Sequence, residues 1–177
     1  NRLIVRHAEV DHADFYCEIW HNPQVMANIG FPTGYPITVT EMSQILRNQK
    51  GSEFERLLVV ELKSTGSLIG ECKMRFLSQQ LAETDIKLLP AYWGHKYGLE
   101  LKRELLAYLF TQTGCEIVQA TPSINNLPSI KMQELVGATR VGEGTHQFPE
   151  AFRDFSIPVH YYIYQIHKKD WLRMSRV

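Results

Sequence analysis

The sequence predicts one mixed α/β domain spanning residues 1–177, a central sheet flanked by helices in the order β-α-α-β-β-β-α-β-α-β-β. Three observations lead there. Segments of alternating apolar and polar residues interleave with segments whose apolar residues recur at helical spacing. The chain has 177 residues, 44% hydrophobic and 21% charged, enough for one sizeable core without a second domain. A turn containing Gly94 and Gly98 separates a strand from the strongest amphipathic segment.

Leu3, Val5 and His7 alternate with polar neighbours and predict a first strand ending near Ala8. Phe15, Ile19 and Trp20 recur at helical spacing over 11–20, with an Asp placed to cap the start. Residues 30–36, rich in Gly, Pro and aromatics, read as a loop. Thr38-Val39-Thr40-Glu41 has capping-box spacing and opens a second helix running to about Gln49. Stretches 56–62 and 67–76 form a hairpin about Ser64-Thr65-Gly66, and 82–89 adds a third strand. Leu101, Leu105, Leu106, Leu109 and Phe110 share one face of the next helix, which Gly114 ends. A short strand at 116–120 and a helix at 125–136, stopped by Gly137, follow. Strands at 138–143 and 159–166, separated by a long loop, close the order.

Charge and composition exclude several functions. Lys plus Arg and Asp plus Glu number 19 each, for a net charge of +0, so the basic excess expected of a nucleic-acid binder is lacking. No apolar run approaches the roughly 20 residues that cross a bilayer, and the apolar stretch at Leu3-Ile4-Val5 is too short for a signal peptide. Cys17, Cys72 and Cys115 have neither C-x-x-C spacing nor an even count. They predict buried, reduced thiols, a cytoplasmic location and no metal site.

The informative segment is Ile86-Lys87-Leu88-Leu89-Pro90-Ala91-Tyr92-Trp93-Gly94-His95-Lys96-Tyr97-Gly98-Leu99-Glu100. A helix N-terminus presents unpaired N–H groups and partial positive charge, which suits a pyrophosphate, and glycine lets the backbone approach it. Taken alone, the same pattern also occurs in strand-to-helix turns that bind nothing.

The run resembles motif A of the GNAT superfamily, (Arg/Gln)-x-x-Gly-x-(Gly/Ala), and most resembles the ribosomal-protein N-terminal acetyltransferase branch, with its Pro-x-Tyr-Trp-Gly. Trp93 stands at the Arg/Gln position, Gly98 matches the final Gly/Ala, and Lys96 replaces the central Gly. Downstream, Asn126-Leu127-Pro128-Ser129-Ile130-Lys131 and Leu135-Val136-Gly137-Ala138 resemble the start and end of motif B, with Ala138 in place of Phe. Asn126 read alone is equally an N-cap. The resemblance runs down to Tyr162-Ile163-Tyr164-Gln165-Ile166 and Asp170-Trp171.

This resemblance implies a GNAT acyl-CoA N-acyltransferase fold with a splayed sheet, and transfer of an acetyl group from acetyl-CoA to a primary amine through a ternary complex. The acceptor is a protein N-terminus or a small molecule; the protein is a monomer or homodimer. His95, Lys96, Tyr97, Gly98 and Leu99 would hold the cofactor pyrophosphate, Asn126 and Ser129 its pantetheine and sulfur end. Backbone amides near Leu88 and Leu89 would face the reacting carbonyl.

The chemistry needs a neutral amine, donors for an oxyanion and an acid near the leaving sulfur. Glu83, seven residues before Pro90, stands where the resemblance implies the general-base Glu of histone-type GNAT enzymes, and Asp85 shares its strand face. Both are equally readable as solvated charges at a strand end. His146 and Glu150 are rival bases, and Ser129 is the candidate acid. Phe31, Tyr35, Phe148 and Phe152 would frame the acceptor pocket, or else cap the core. Two other readings remain at this point: a non-catalytic acyl-CoA-binding domain of the same fold, and an unrelated structural module.

Overall fold

A computed structural model describes residues 1–51 and 54–174. Along the chain come β1 (Leu3–His7), α1 (Ala13–His21), α2 (Pro23–Met26), α3 (Val39–Arg47), β2 (Leu58–Leu62), β3 (Leu68–Phe76) and β4 (Leu81–Leu88). Then follow α4 (Tyr97–Gln112), β5 (Ile117–Ala120), α5 (Leu127–Leu135), β6 (Thr139–His146), β7 (Val159–His167) and α6 (Lys168–Met174). The strands form one seven-stranded sheet in the order β1-β2-β3-β4-β5-β7-β6. Every neighbouring pair is antiparallel except β4 and β5, which are parallel and joined through α4, the kind of crossover parallel neighbours require.

The predicted order holds with two additions. α2 has four residues, set up by Pro23 at its first position and by Asn22, whose Oδ1 accepts the Gln24 N–H at 3.0 Å. α6 has seven residues, with the Trp171 ring 5.5 Å from that of Phe110. Both are too short for periodicity to register.

Thr38 and Glu41 form the predicted capping box, with Glu41 N–H to Thr38 Oγ1 at 3.2 Å and Thr38 N–H to Glu41 Oε2 at 2.8 Å. Gly137 ends α5 at φ 83°, its N–H on Glu134 O at 2.9 Å and the Ala138 N–H on Gln133 O at 3.0 Å, the Schellman arrangement. Asp11 does not cap α1. It lies in a 3-10 turn, Val10–His12, and His12 occupies the cap position. α4 stops before Gly114, where the Thr113 hydroxyl donates to Leu109 O at 2.5 Å.

The sheet separates two apolar layers. On one face, Leu101, Leu105, Leu106, Leu109 and Phe110 of α4 pack against Val60, Cys72, Met74, Ala82, Val118 and Ile166. On the other, Tyr16 and Cys17 of α1 and Met42 and Leu46 of α3 pack against Val59. The three cysteines are free and buried, and burial pushes each thiol above its ordinary pKa, as expected of inert apolar side chains. Among the described residues no helix is long and apolar enough to cross a membrane.

Candidate active site

β4 and β5 pair only at Leu81–Ile117, Ala82–Val118 and Glu83–Gln119; β4 then continues to Leu88 with no partner on that side. The sheet therefore forks at Glu83. The hydrogen bonds of the β3–β4 ladder show which amides the fork exposes. Leu77 N–H donates to Leu81 O at 2.8 Å and Leu89 N–H to Ile69 O at 2.9 Å, both between odd-numbered positions. In an antiparallel pair these directions alternate, so odd amides of β4 face β3 and even ones face β5. Ile86 and Leu88 thus direct their N–H groups into the fork. The expected amide pair splits: Leu88 fits, whereas the Leu89 N–H is committed to Ile69, and Ile86 takes its place.

The mouth of the fork is held from both sides. Trp93 donates its Nε1–H to Leu88 O at 2.8 Å. Gly70 lies opposite Leu88, where an added Cβ would be 2.3 Å from Lys87 O and 3.0 Å from Leu88 Cα. Only glycine allows so close an approach.

α4 begins beside this mouth. Its N-cap residue, Lys96, has φ 65° and ψ 14°, and among the described residues no side chain caps the helix. The first helical hydrogen bond is Glu100 N–H to Lys96 O at 3.0 Å, which leaves the first-turn amides of Tyr97, Gly98 and Leu99 directed outward. Lys96, which stands at the central glycine position of the motif the sequence resembles, thus adopts a left-handed backbone. Gly94 also has positive φ, and an added Cβ there would meet nothing within 4 Å. At Gly98 an added Cβ would lie 3.5 Å from Met132 Sδ and 3.8 Å from Leu88 Cδ1, so α4, α5 and β4 converge there. Arg2 fixes the turn: its guanidinium meets Glu100 at 2.8 Å and His95 O at 3.1 Å and lies 4.3 Å from the Tyr97 ring centre, while His95 stacks on Tyr97. The free first-turn amides and the open fork beside them are the groups here that could hold an anionic cofactor.

Asn126 caps α5, its Oδ1 accepting the Ser129 N–H at 3.2 Å. The cap reading of Asn126 therefore holds, and Ser129 sits half-buried in the first turn.

On the sheet face opposite α4, a cavity of about 380 Å3 opens at the fork, with Asn28, Arg75, Glu83, Gln119, Thr121, His146 and Tyr161 as its polar lining. Ile29, Leu77, Val159 and Ile163 supply apolar wall. Arg75 stands opposite Glu83 in the β3–β4 register and binds it at 2.6 Å, while Gln119 Nε2 donates to Glu83 at 3.4 Å. The rival carboxylates are committed elsewhere. Asp85 pairs with Lys87, which also reaches Glu71 at 3.1 Å, and Glu150 pairs with Arg153 at 2.5 Å on the surface. Burial alone would lower the Lys87 pKa, but Asp85 and Glu71 more than reverse this and hold it above its ordinary range.

The four aromatics expected at the acceptor pocket do not line this cavity. Phe31 is buried, with its ring 5.0 Å from Tyr35, 4.8 Å from Phe148 and 6.5 Å from Phe152, in a cluster that includes Ile19, Met26 and Leu89. They form a packed wall behind the cavity, touching it through His146, whose ring is 4.5 Å from Phe148. Sequence reasoning missed Arg75, Gln119, Thr121 and Tyr161. Counting back from the turn at 77–80 would have set Arg75 across from Glu83.

One buried group was not anticipated. Lys102 occupies the apolar face of α4 at 1% exposure and donates to Thr84 Oγ1 at 2.7 Å, directly beneath the fork. Burial pushes its pKa down to about 7, with the Glu83 carboxylate offsetting part of the effect.

A sheet forked beside an open helix terminus, with a polar cavity at the crotch, defines an acyltransferase of the N-acetyltransferase class. Comparison with known proteins agrees: residues 2–139 match the acetyltransferase (GNAT) domain family, and the chain belongs to it. It is 25% identical over 134 residues, 74% of this chain and 75% of its relative, to the uncharacterized N-acetyltransferase p20 of Bacillus licheniformis. In fold it is similar to the spermidine N-acetyltransferase of Vibrio cholerae, solved in complex with CoA and spermine, with TM-score 0.79, 20% identity and coverage of 97% and 98% of the two chains. A GNAT-family acetyltransferase from Bacillus anthracis gives TM-score 0.76 at 21% identity, with 96% of each chain covered. Membership stands at the level of the family; none of these likenesses carries the narrower ribosomal-protein branch.

Proposed function

We propose that this single domain transfers the acetyl group of acetyl-CoA to a primary amine, with both bound at once. The observation that carries the reading is the fork itself: β4 leaves β5 just past Glu83, with the amides of Ile86 and Leu88 on one side of the opening and the Glu83 cavity at its base. Acetyl-CoA supplies an activated acyl thioester. The chain's own groups supply the rest. The first-turn amides of Tyr97, Gly98 and Leu99 neutralise phosphate charge. The Ile86 and Leu88 N–H groups are fixed by the sheet and donate where negative charge develops on oxygen, without reorganising. Glu83 takes the proton that the amine must lose, and Ser129 stands at the start of α5 as the donor toward the departing sulfur.

Isothermal titration with acetyl-CoA, followed by thiol release against a panel of amines, tests the reading. Binding with release supports it. Binding without release from any amine favours the non-catalytic acyl-CoA-binding alternative, and absence of binding removes both. The amine-acetylating neighbour from Vibrio cholerae keeps small amines in the panel, and the Pro90-Ala91-Tyr92-Trp93-Gly94 run keeps protein N-termini there.

A further inference from the structure

The charge arrangement of the cavity, taken with the acetyltransferase reading above, restricts the acceptor. β3 and β4 carry three cross-strand pairs of opposite charge on one face: Glu71–Lys87, Lys73–Asp85 and Arg75–Glu83. Only the last of these lines the cavity. Among the described residues Glu83 is the sole carboxylate of that lining, and Arg75 already neutralises it at 2.6 Å. The remaining polar groups, Asn28, Gln119, Thr121 and Tyr161, are neutral, and His146 contributes no negative charge.

A polycation would bring two or more ammonium groups to a cavity with no uncompensated anion, and desolvating each would go unrepaid. An amine that also carries a carboxylate meets a different balance. The Arg75 side chain is 58% exposed and so can turn, whereas Glu83 is 20% exposed and held by Gln119. If the incoming ammonium takes the place of Arg75 on Glu83, the freed guanidinium can grip the carboxylate in a two-pronged contact. Every charge then stays paired through the exchange.

We propose that the acceptor is an amino acid, a compound bearing a free carboxylate within a few bonds of the amine, with Arg75 as its specificity-determining anchor. The ammonium rests on Glu83, which then takes its proton. The nitrogen lone pair forms the new C–N bond and the C–S bond breaks; the leaving thiolate takes a proton from Ser129, the second proton that the nitrogen sheds restores it, and the proton on Glu83 passes to water.

The test is thiol release from acetyl-CoA by matched sets: L-amino acids, the corresponding carboxamides and the decarboxylated amines, with spermidine alongside. Each set shares one amine and differs in the carboxylate. The expected result is a kcat/KM about 10- to 100-fold higher for the best amino acid than for its carboxamide, carried mainly by KM. Arg75→Gln should bring that ratio close to one, and Arg75→Lys should restore part of it. A merely structural role for Arg75 would lower both members alike and leave the ratio standing, which overturns the anchor. Preference for spermidine or the decarboxylated amines overturns the proposal while the acetyltransferase reading survives. Silence across the whole panel, with acetyl-CoA bound, overturns this inference, and thiol release with N-terminal peptides then decides whether the acetyltransferase reading survives.

Discussion

Glu83 sits where two requirements meet. Its backbone makes the last pair before the sheet forks, and its side chain lines the cavity with Arg75 and Gln119 as partners. Its candidacy was legible through the resemblance; that Asp85 and Glu150 lie outside the cavity lining, while His146 shares it, became visible only in the fold. Glu83→Gln keeps the shape and removes the base, so kcat should fall about 10²–10⁴-fold with acetyl-CoA affinity unchanged, as single-turnover rates and calorimetry would show. Ser129→Ala should act in the same sense but more weakly, since a hydroxyl is a poor acid; unchanged kcat in both variants would move the proton chemistry to His146 or water. Lys102 answers to pH through stability. With a folded pKa near 7 and an ordinary value of 10.5, the unfolded chain binds the extra proton between those limits. Stability should therefore rise with pH across that window, by up to about 1.4 kcal/mol per unit, and the full penalty should stand below pH 7. Lys102→Met removes the charge at similar volume, so the variant should be the more stable at pH 7, with the difference shrinking towards pH 10. Urea titrations at both ends of the window would show this, and a constant difference would mean that Lys102 stays charged in the fold.

At the scale of elements, the start of α4 carries the clearest conflict between local preference and use. A residue with a Cβ in the left-handed region costs about 1–2 kcal/mol, yet Lys96 holds φ 65°. The contacts of Arg2 with Glu100, His95 and Tyr97 keep the turn in place from β1's end of the sheet. Lys96→Gly should raise stability by about 1 kcal/mol in chemical denaturation. If the ammonium also meets a phosphate, the same variant should weaken acetyl-CoA binding, and the loss should shrink in high salt. Caps were the legible part of the helices: the Thr38–Glu41 box and the Gly137 stop follow from residue identity alone. The expected Asp11 cap failed because a 3-10 turn intervened, and α2 and α6 were too short to leave a periodic trace. Which amides of β4 face the fork was illegible, because ladder parity depends on register. That is why Leu89 was expected to face the fork, although its N–H is bonded to Ile69 O.

The whole molecule is two sheet halves, β1 to β4 and β5 to β7, meeting along the short β4–β5 pairing and tied together by the helices that cross it. The order of elements along the chain was readable because alternation and helical spacing are local, whereas the place of β7 between β5 and β6 in the sheet was not. The cavity was not, because its lining comes from residues as far apart as Asn28 and Ile163. Of the aromatic loops read as a pocket, Phe31 packs against its neighbouring rings at 8% exposure, whereas Tyr35 and Phe155 line a second cavity of about 300 Å3 beside His21 and Pro36. This bipartite plan gives the acyl donor a structural role as well as a chemical one. A ligand lying in the fork touches β4 and α4 on one side and β5 and α5 on the other, so it should bind only when the halves are correctly set. At a concentration about 100-fold above Kd, such a ligand adds about 2.7 kcal/mol to unfolding, which for a chain of this size raises Tm by roughly 5–10 °C. Hydrogen exchange should locate the gain. Protection should rise at the amides of Ile86 and Leu88 and at Tyr97 to Leu99, which have no partner within the chain's regular ladders, and stay level at the β1–β2 edge. A Tm shift with protection confined to that edge would place the ligand elsewhere and remove the fork from the binding site.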